Sequence, residues 1–372
     1  MRASQWFLHE RGPAPVSLFS EADRAALAAA RRLAPTPLHR AKGLAGSLGL
    51  KSLRLKDETA REDLPAFKIL GAGFAMAELR RRGLLAAGAT VVCASEGNHG
   101  RAVARSAREL GLRARVYVAA QVSGERAEAI ELEGAELVRV DGSYDDAVAR
   151  AAADAARDGC TVVSDTSYEG YEEIPRLIML GYTRLMDEAS VQWKKKPPEL
   201  VVVQGGVGGL AAAVASWYAM HPERPRPRLV VVEPLGAACL LASARAGALT
   251  TVPGPHDTMM GGLRCGAASS AAWPAIAAGF DAFVAIDDEW ARRAMRLLAR
   301  PPGEDPAIPV GTSGAAGAGA LLALREEPGL QELRDALGIT PRTRAMALLT
   351  EGVTEPALYA EIVGGTGRAR LR

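Results

Sequence analysis

Residues 199–215, ELVVVQGGVGGLAAAVA, read as a strand, a glycine loop and a helix in direct succession. Val201, Val202 and Val203 make a continuous apolar run, the pattern of a strand buried on both faces of a parallel sheet. Gly205, Gly206, Gly208 and Gly209 around Val207 leave backbone N–H groups bare. The alanine-rich run that follows brings a helix N-terminus and its dipole to the same point, so the loop suits a phosphate group.

The same alternation runs outward in both directions. VVCAS (91–95) precedes a helix near 99–110, RVYVA (115–119) one near 124–134, and ELVRV (136–140) one near 143–157; TVVSD (161–165) follows. RLVVVEP (228–234) lies beyond a helix near 208–219. Apolar runs separated by helices of this length predict an α/β fold with doubly wound open sheets. WKKKPP (193–198), charged and proline-bearing, reads as a linker, and the stretches from VPGPHD (252–257) to ARPPGEDPAIPVG (299–311) read as loop-heavy. We therefore expect a small α/β domain over 83–196 and a larger, discontinuous domain over 1–82 and 197–372.

Composition narrows the function. The 372 residues carry 45 Lys+Arg against 43 Asp+Glu, a net charge of +2, with no broad basic excess to neutralise phosphates of a nucleic acid. The basic runs at 80–82 and 194–196 read as solvated helix ends or loops. No stretch resembles a membrane span or a signal peptide, and the expected location is the cytoplasm. Cys93, Cys160, Cys239 and Cys265 are widely spaced and read as small buried hydrophobes, and the five histidines lack metal-ligand spacing, so no metal site is expected.

Two further stretches carry chemistry. In DLPAFKILGAGFAMAEL (63–79), Pro65 suits the opening of a helix, which puts Lys68 in its first turn. The helix dipole and the neighbours Phe67, Ile69 and Leu70 would lower the lysine pKa, as an amine nucleophile requires; an amphipathic helix would also carry such a lysine outward to solvent. In ASEGNHG (94–100), a turn at the carboxyl end of a strand offers N–H groups to an anion, yet Glu96 brings an anion of its own. Ser95 or Glu96 would equally serve as a helix cap.

A competing reading concerns the glycine loop. Gly206, Gly208 and Ala211 also satisfy G-x-G-x-x-A, and Glu233 ends the next strand where a dinucleotide site keeps its ribose-binding acid. A nicotinamide-dependent dehydrogenase is the alternative from a different class, and a non-catalytic protein on the same fold is a third.

The order of AFK, ASEGNHG and GGVGG resembles the fold-type II pyridoxal-phosphate enzymes, the tryptophan synthase β family that includes threonine dehydratase and serine racemase. The resemblance narrows further. SDTSYEGYEEIPRLIMLGY (164–182), LKDETAREDLPAFKILG (55–71), MMGGLRCG (259–266), GTSGAAGAG (311–319) and LLTEGVTEP (348–356) are similar to segments of the diaminopropionate ammonia-lyases, so the likeness spans nearly the whole chain. It implies two open-sheet domains with the active site in the cleft between them, pyridoxal 5'-phosphate as cofactor, an amino-acid substrate and a homodimer.

The resemblance also implies roles for individual residues. Lys68 would hold the cofactor through a Schiff base, with Phe67 beside it. Asn98 would bond the ring hydroxyl, Gly205, Gly206, Val207, Gly208 and Gly209 the phosphate, and Thr350 the pyridine nitrogen. Backbone N–H groups of the turn formed by Ser95, Gly97, Asn98 and His99 would receive the substrate carboxylate. Glu96 would abstract the α-proton of the D-isomer and Lys68 that of the L-isomer, with Asp165 the second acid near the substrate. Acids suit 2,3-diaminopropionate, whose β-ammonium must be paired when buried. This chain departs from the family at Glu96, usually aspartate, at Pro65, usually asparagine, at Thr312, usually glutamate, and at Val353, usually aspartate. Elimination from serine, threonine or another β-substituted amino acid, and racemisation, stay open as alternatives.

Overall fold

A computed structural model of the chain describes residues 1–9, 16–95 and 97–364. Glu96, the acid of the ASEGNHG turn, lies outside the described residues. From the N-terminus run β1 (Gln5–Leu8), α1 (Glu21–Ala29), β2 (Leu38–Arg40), α2 (Lys42–Ser47) and β3 (Ser52–Asp57). Next, α3 (Lys68–Arg81) leads into β4 (Thr90–Ala94), α4 (Asn98–Glu109), β5 (Arg113–Ala119) and α5 (Gly124–Glu131). They are followed by β6 (Glu136–Val140), α6 (Tyr144–Asp158), β7 (Thr161–Val162) and the long α7 (Glu173–Gln192). Then come β8 (Leu200–Gln204), α8 (Gly209–Met220), β9 (Arg228–Pro234), α9 (Cys239–Ala246), α10 (Trp273–Gly279) and β10 (Ala282–Ile286). The chain closes with α11 (Asp288–Ala299), α12 (Ala316–Glu326), α13 (Gln331–Ala336), β11 (Arg344–Leu349) and α14 (Pro356–Val363).

These strands form a seven-stranded sheet in the order β1-β10-β9-β8-β11-β3-β2 and a four-stranded sheet in the order β6-β5-β4-β7. The small sheet is parallel throughout, and the large one is parallel except where β1 and β2 pair antiparallel at its two edges. The doubly wound α/β expectation therefore holds, and β8 and β10 are buried at every position, as a strand covered on both faces by helices must be. The motifs end up where such sheets bind ligands: Ser95 follows β4, Gly205 follows β8 and Thr350 follows β11, all at carboxyl ends.

The two sheets are joined by a crossing of α3 and α7 that only glycine permits. A Cβ on Gly71 would collide with the Tyr182 ring, and one on Gly181 with the Leu70 carbonyl, so the two backbones touch at these positions. The crossing sets Tyr182 of α7 beside the first residue of α3, which is Lys68.

Two local expectations are corrected. Pro65 does not open α3; it sits in the segment before it, where its carbonyl accepts from the Gly352 N–H at 2.8 Å. WKKKPP is not a linker from its first residue, because Trp193 ends α7 buried at 2% exposure, edge-on to Trp217 with ring centroids 5.9 Å apart.

Candidate active site

The segment leading to Lys68 is fixed from two sides. Arg61, fully buried, pairs with Glu58 at 2.5 Å and with Glu188 of α7 at 2.7 Å, and its backbone exchanges hydrogen bonds with Leu64. Residues 65–67 then lie along the strand end after β11: Ala66 bridges to Glu351, and the Phe67 N–H approaches the Thr350 carbonyl at 3.5 Å. This stitching puts Lys68, Thr350 and Glu351 around one space.

Lys68 Nζ donates to Asp165 Oδ2 at 2.6 Å and lies 5.3 Å and 5.7 Å from the ring centroids of Phe67 and Tyr182. Here the expectation of a lowered lysine pKa fails. Burial does act to lower it, but the Asp165 carboxylate outweighs burial and holds the ammonium form well above its ordinary range. The same pairing governs Asp165, whose burial would raise its pKa while the Lys68 charge, with His99 adding to it, keeps the carboxyl well below the usual carboxylate range. Asp165 is 97 residues from Lys68 in sequence, which is why local context gave the wrong sign.

The turn after β4 contributes the next groups. Ser95 Oγ accepts from the Gly100 N–H at 2.9 Å and the Gly97 N–H at 3.4 Å, so Ser95 caps the start of α4 as the simpler reading expected. His99 is buried, with Nε2 2.9 Å from the Val163 carbonyl and Nδ1 3.8 Å from Asp165. Asn98 donates from Nδ2 to Glu351 Oε2 at 2.7 Å, while its Oδ1 is buried without a partner among the described residues.

Across the space lies the glycine loop. Gly208 has φ +97° and serves as N-cap of α8, which no side chain caps among the described residues, so the first-turn N–H groups face the loop. A Cβ on Gly205 would stand 2.5 Å from Leu240, and one on Gly206 would stand 3.2 Å from Cys265 Sγ. Larger residues would fill the cradle or break its backbone. Thr350, 5% exposed, accepts from Gln204 Nε2 at 3.3 Å, which leaves its own O–H proton to donate.

Glu233 settles the competing reading of this loop. It is fully buried, and its two carboxylate oxygens accept from the Leu240 and Leu241 N–H groups at 2.7 and 2.8 Å. It caps α9 inside the protein and presents no oxygen to a ribose, so the dinucleotide assignment fails on geometry.

Sequence reasoning missed three residues here. Tyr182 is one; its position inside a helix buried nearly all round gave no signal. Cys265 is another: it is not a remote core cysteine but lies against Gly206, its thiol pushed up to about 12 by burial. Glu351 is the third, in the same TEG triplet as Thr350. It is buried, accepts from the Ser313 N–H at 3.0 Å and from Asn98, and burial raises its pKa. No cluster of side chains among the described residues could hold a metal ion.

These features fit pyridoxal phosphate: a lysine at the head of α3, an orphaned amide oxygen on Asn98, a hydroxyl on Thr350 with its proton free to donate, and a glycine cradle on a helix N-terminus. Comparisons agree. The sequence profile described as "Pyridoxal-phosphate dependent enzyme" matches residues 30–337. The diaminopropionate ammonia-lyase of Escherichia coli (strain K12) is 35% identical over 346 residues, 88% of this chain and 87% of the relative. That of Salmonella typhimurium (strain LT2) is 38% identical over 355 residues, 89% and 88% of the two chains. A crystal structure of the Escherichia coli enzyme in complex with an aminoacrylate-PLP azomethine reaction intermediate superposes with a TM-score of 0.88 at 33% identity, covering 97% of each chain. By profile, sequence and structure the chain belongs to the diaminopropionate ammonia-lyase family of pyridoxal-phosphate-dependent enzymes.

Proposed function

We propose that this enzyme eliminates ammonia from 2,3-diaminopropionate, and that the observation carrying the assignment is the Lys68–Asp165 pair, 2.6 Å apart, facing a phosphate cradle. Lys68 would hold the cofactor, Gly205 to Gly209 its phosphate, Asn98 and Thr350 its ring, with Phe67 packed alongside. When bound, pyridoxal phosphate supplies an electron sink for the charge left at the substrate Cα.

The chain's own groups do the rest. A base takes the proton from Cα, the Cβ–N bond breaks, and the β-nitrogen leaves as ammonia. The aminoacrylate so released hydrolyses to pyruvate and further ammonia. Lys68 Nζ, with Asp165 against it, is placed to move the proton. Asp165 keeps its charge in a largely enclosed site, and that charge suits a cationic β-ammonium, which cannot be buried unpaired. The N–H groups after β4 would orient the substrate carboxylate. For Glu96 we retain the role of base toward the D-isomer, resting on its place in ASEGNHG alone.

We also propose that the enzyme works in the cytoplasm as a homodimer. The cytoplasmic reading is supported by the four cysteines, all free, and the dimer by the family resemblance. No described helix is long and apolar enough to cross a membrane.

The test is pyruvate release by cofactor-loaded protein from D- and L-2,3-diaminopropionate, with D- and L-serine and threonine as comparators. Release from both diaminopropionate isomers, with Glu96→Gln losing more of the D than of the L rate, is the expected result. Turnover of hydroxy amino acids alone would refute the substrate and leave fold and cofactor standing.

A further inference from the structure

The Tyr182 side chain is 1% exposed, and its hydroxyl makes no hydrogen bond of ordinary geometry among the described residues; the Lys68 ammonium, near enough to interact with it, is itself held by Asp165 at 2.6 Å. Leaving a buried hydroxyl unpaired is costly, so such a group marks a place where a partner is missing. The ring cannot swing away to find one. Its Cε1 edge is pressed against Gly71 of α3, its face stands edge-on to Phe67 with centroids 4.7 Å apart, and its Cε2 edge would lie 3.8 Å from a Cβ on Gly209.

The hydroxyl is borne by the carbon between those two edges. It therefore lies between the start of α3, where Lys68 Nζ is 5.7 Å from the ring centroid, and the first turn of α8. The neighbouring groups define what would pair with it. On one side are uncapped N–H donors at the positive end of a helix, and on the other the Lys68 ammonium, already paired with Asp165. A hydroxyl proton aimed into that setting needs an acceptor, and an anion with several oxygens at the helix end would accept from the hydroxyl and from the N–H donors together.

We propose that the Tyr182 hydroxyl donates a hydrogen bond to the phosphate of the bound cofactor, adding one side-chain donor to a cradle otherwise built from backbone. This rests on the placing of that phosphate at Gly205 to Gly209. It makes Tyr182 a determinant of cofactor affinity and of preference for the phosphorylated form, with no part in moving a proton.

The test is Tyr182→Phe in the full-length protein, freed of cofactor and titrated with pyridoxal phosphate and with pyridoxal, which lacks the phosphate. The violet absorption of the lysine-bound cofactor is the readout. The expected result is a dissociation constant for pyridoxal phosphate raised about tenfold, the scale of one hydrogen bond to a charged group, with that for pyridoxal unchanged. Equal weakening of both ligands would overturn the proposal in favour of an effect on Lys68, and no weakening of either would overturn it outright. Wild-type protein binding both ligands equally would instead refute the phosphate cradle itself, and the proposal with it.

Thermal melting gives an independent readout. Without cofactor, the variant should melt at or above the wild type, because a buried unpaired hydroxyl has been removed, and pyridoxal phosphate should raise its Tm by less. A variant that melts lower without cofactor would show that the hydroxyl serves the fold, against the proposal.

Discussion

Lys68 and Asp165 form a partly buried pair in which each group sets the ionisation of the other. Lys68, its pKa raised, and Asp165, its pKa depressed, are both charged across the neutral range. The stability contributed by a carboxyl of depressed pKa is fully present above its ordinary value of 3.8 and is lost only as pH falls below that. The pair therefore adds no slope to stability near neutrality. For catalysis, Asp165→Asn should keep the violet absorption, since Lys68 remains, and lower turnover of 2,3-diaminopropionate by about a hundredfold or more, the scale of a lost acid-base or charge-pairing group. Steady-state rates alongside absorption spectra check this, and a rate within a fewfold of wild type would reduce Asp165 to a residue that only holds the lysine in place.

Among the elements, β9 and α9 show how a motif misleads. Glu233 stands where a ribose-binding acid would, but it faces inward and caps α9, and burial raises its pKa from an ordinary 4.5 to about 8 against the lowering effect of the two N–H groups. A carboxyl of raised pKa holds its proton in the folded state at pH values where the unfolded chain has lost it. Stability therefore falls as pH rises from about 4.5 to about 8 and levels off above. Glu233→Gln carries no titration, so the variant should be less stable than wild type near pH 5, where it loses one accepted N–H, and should close that gap by pH 8. Thermal melting of both proteins across this range checks it; parallel curves would show that Glu233 is charged throughout. The strands from 90 to 140 and from 200 to 234 were legible because continuous apolar runs between helices have few other uses. The edge strands β1 and β2 were not, because strands of 4 and 3 residues that are partly exposed carry no such pattern, and β3, β10 and β11 also went unread, although β10 is apolar and buried throughout.

At the scale of the whole molecule, the site is assembled from segments remote in sequence: Lys68 opening α3, Asn98 after β4, Asp165 after β7, the loop before α8, and Thr350 and Glu351 after β11. Lys68, Asn98 and the glycines sit in local motifs, so their positions at the head of α3, after β4 and before α8 were legible, and their roles are those proposed above. Tyr182 and Cys265 were not, because only the α3–α7 crossing at Gly71 and Gly181 and the approach of Gly206 to residue 265 bring them to the site. The sign of the Lys68 shift was lost for the same reason. The claim on which everything else depends is that Lys68 carries the cofactor, and borohydride reduction of the holoenzyme followed by peptide mass mapping tests it most directly. The account predicts a reduced cofactor on the peptide containing Lys68, bleaching of the violet band and loss of ammonia release in step with labelling. A label on any other lysine, or full labelling with activity intact, would contradict it.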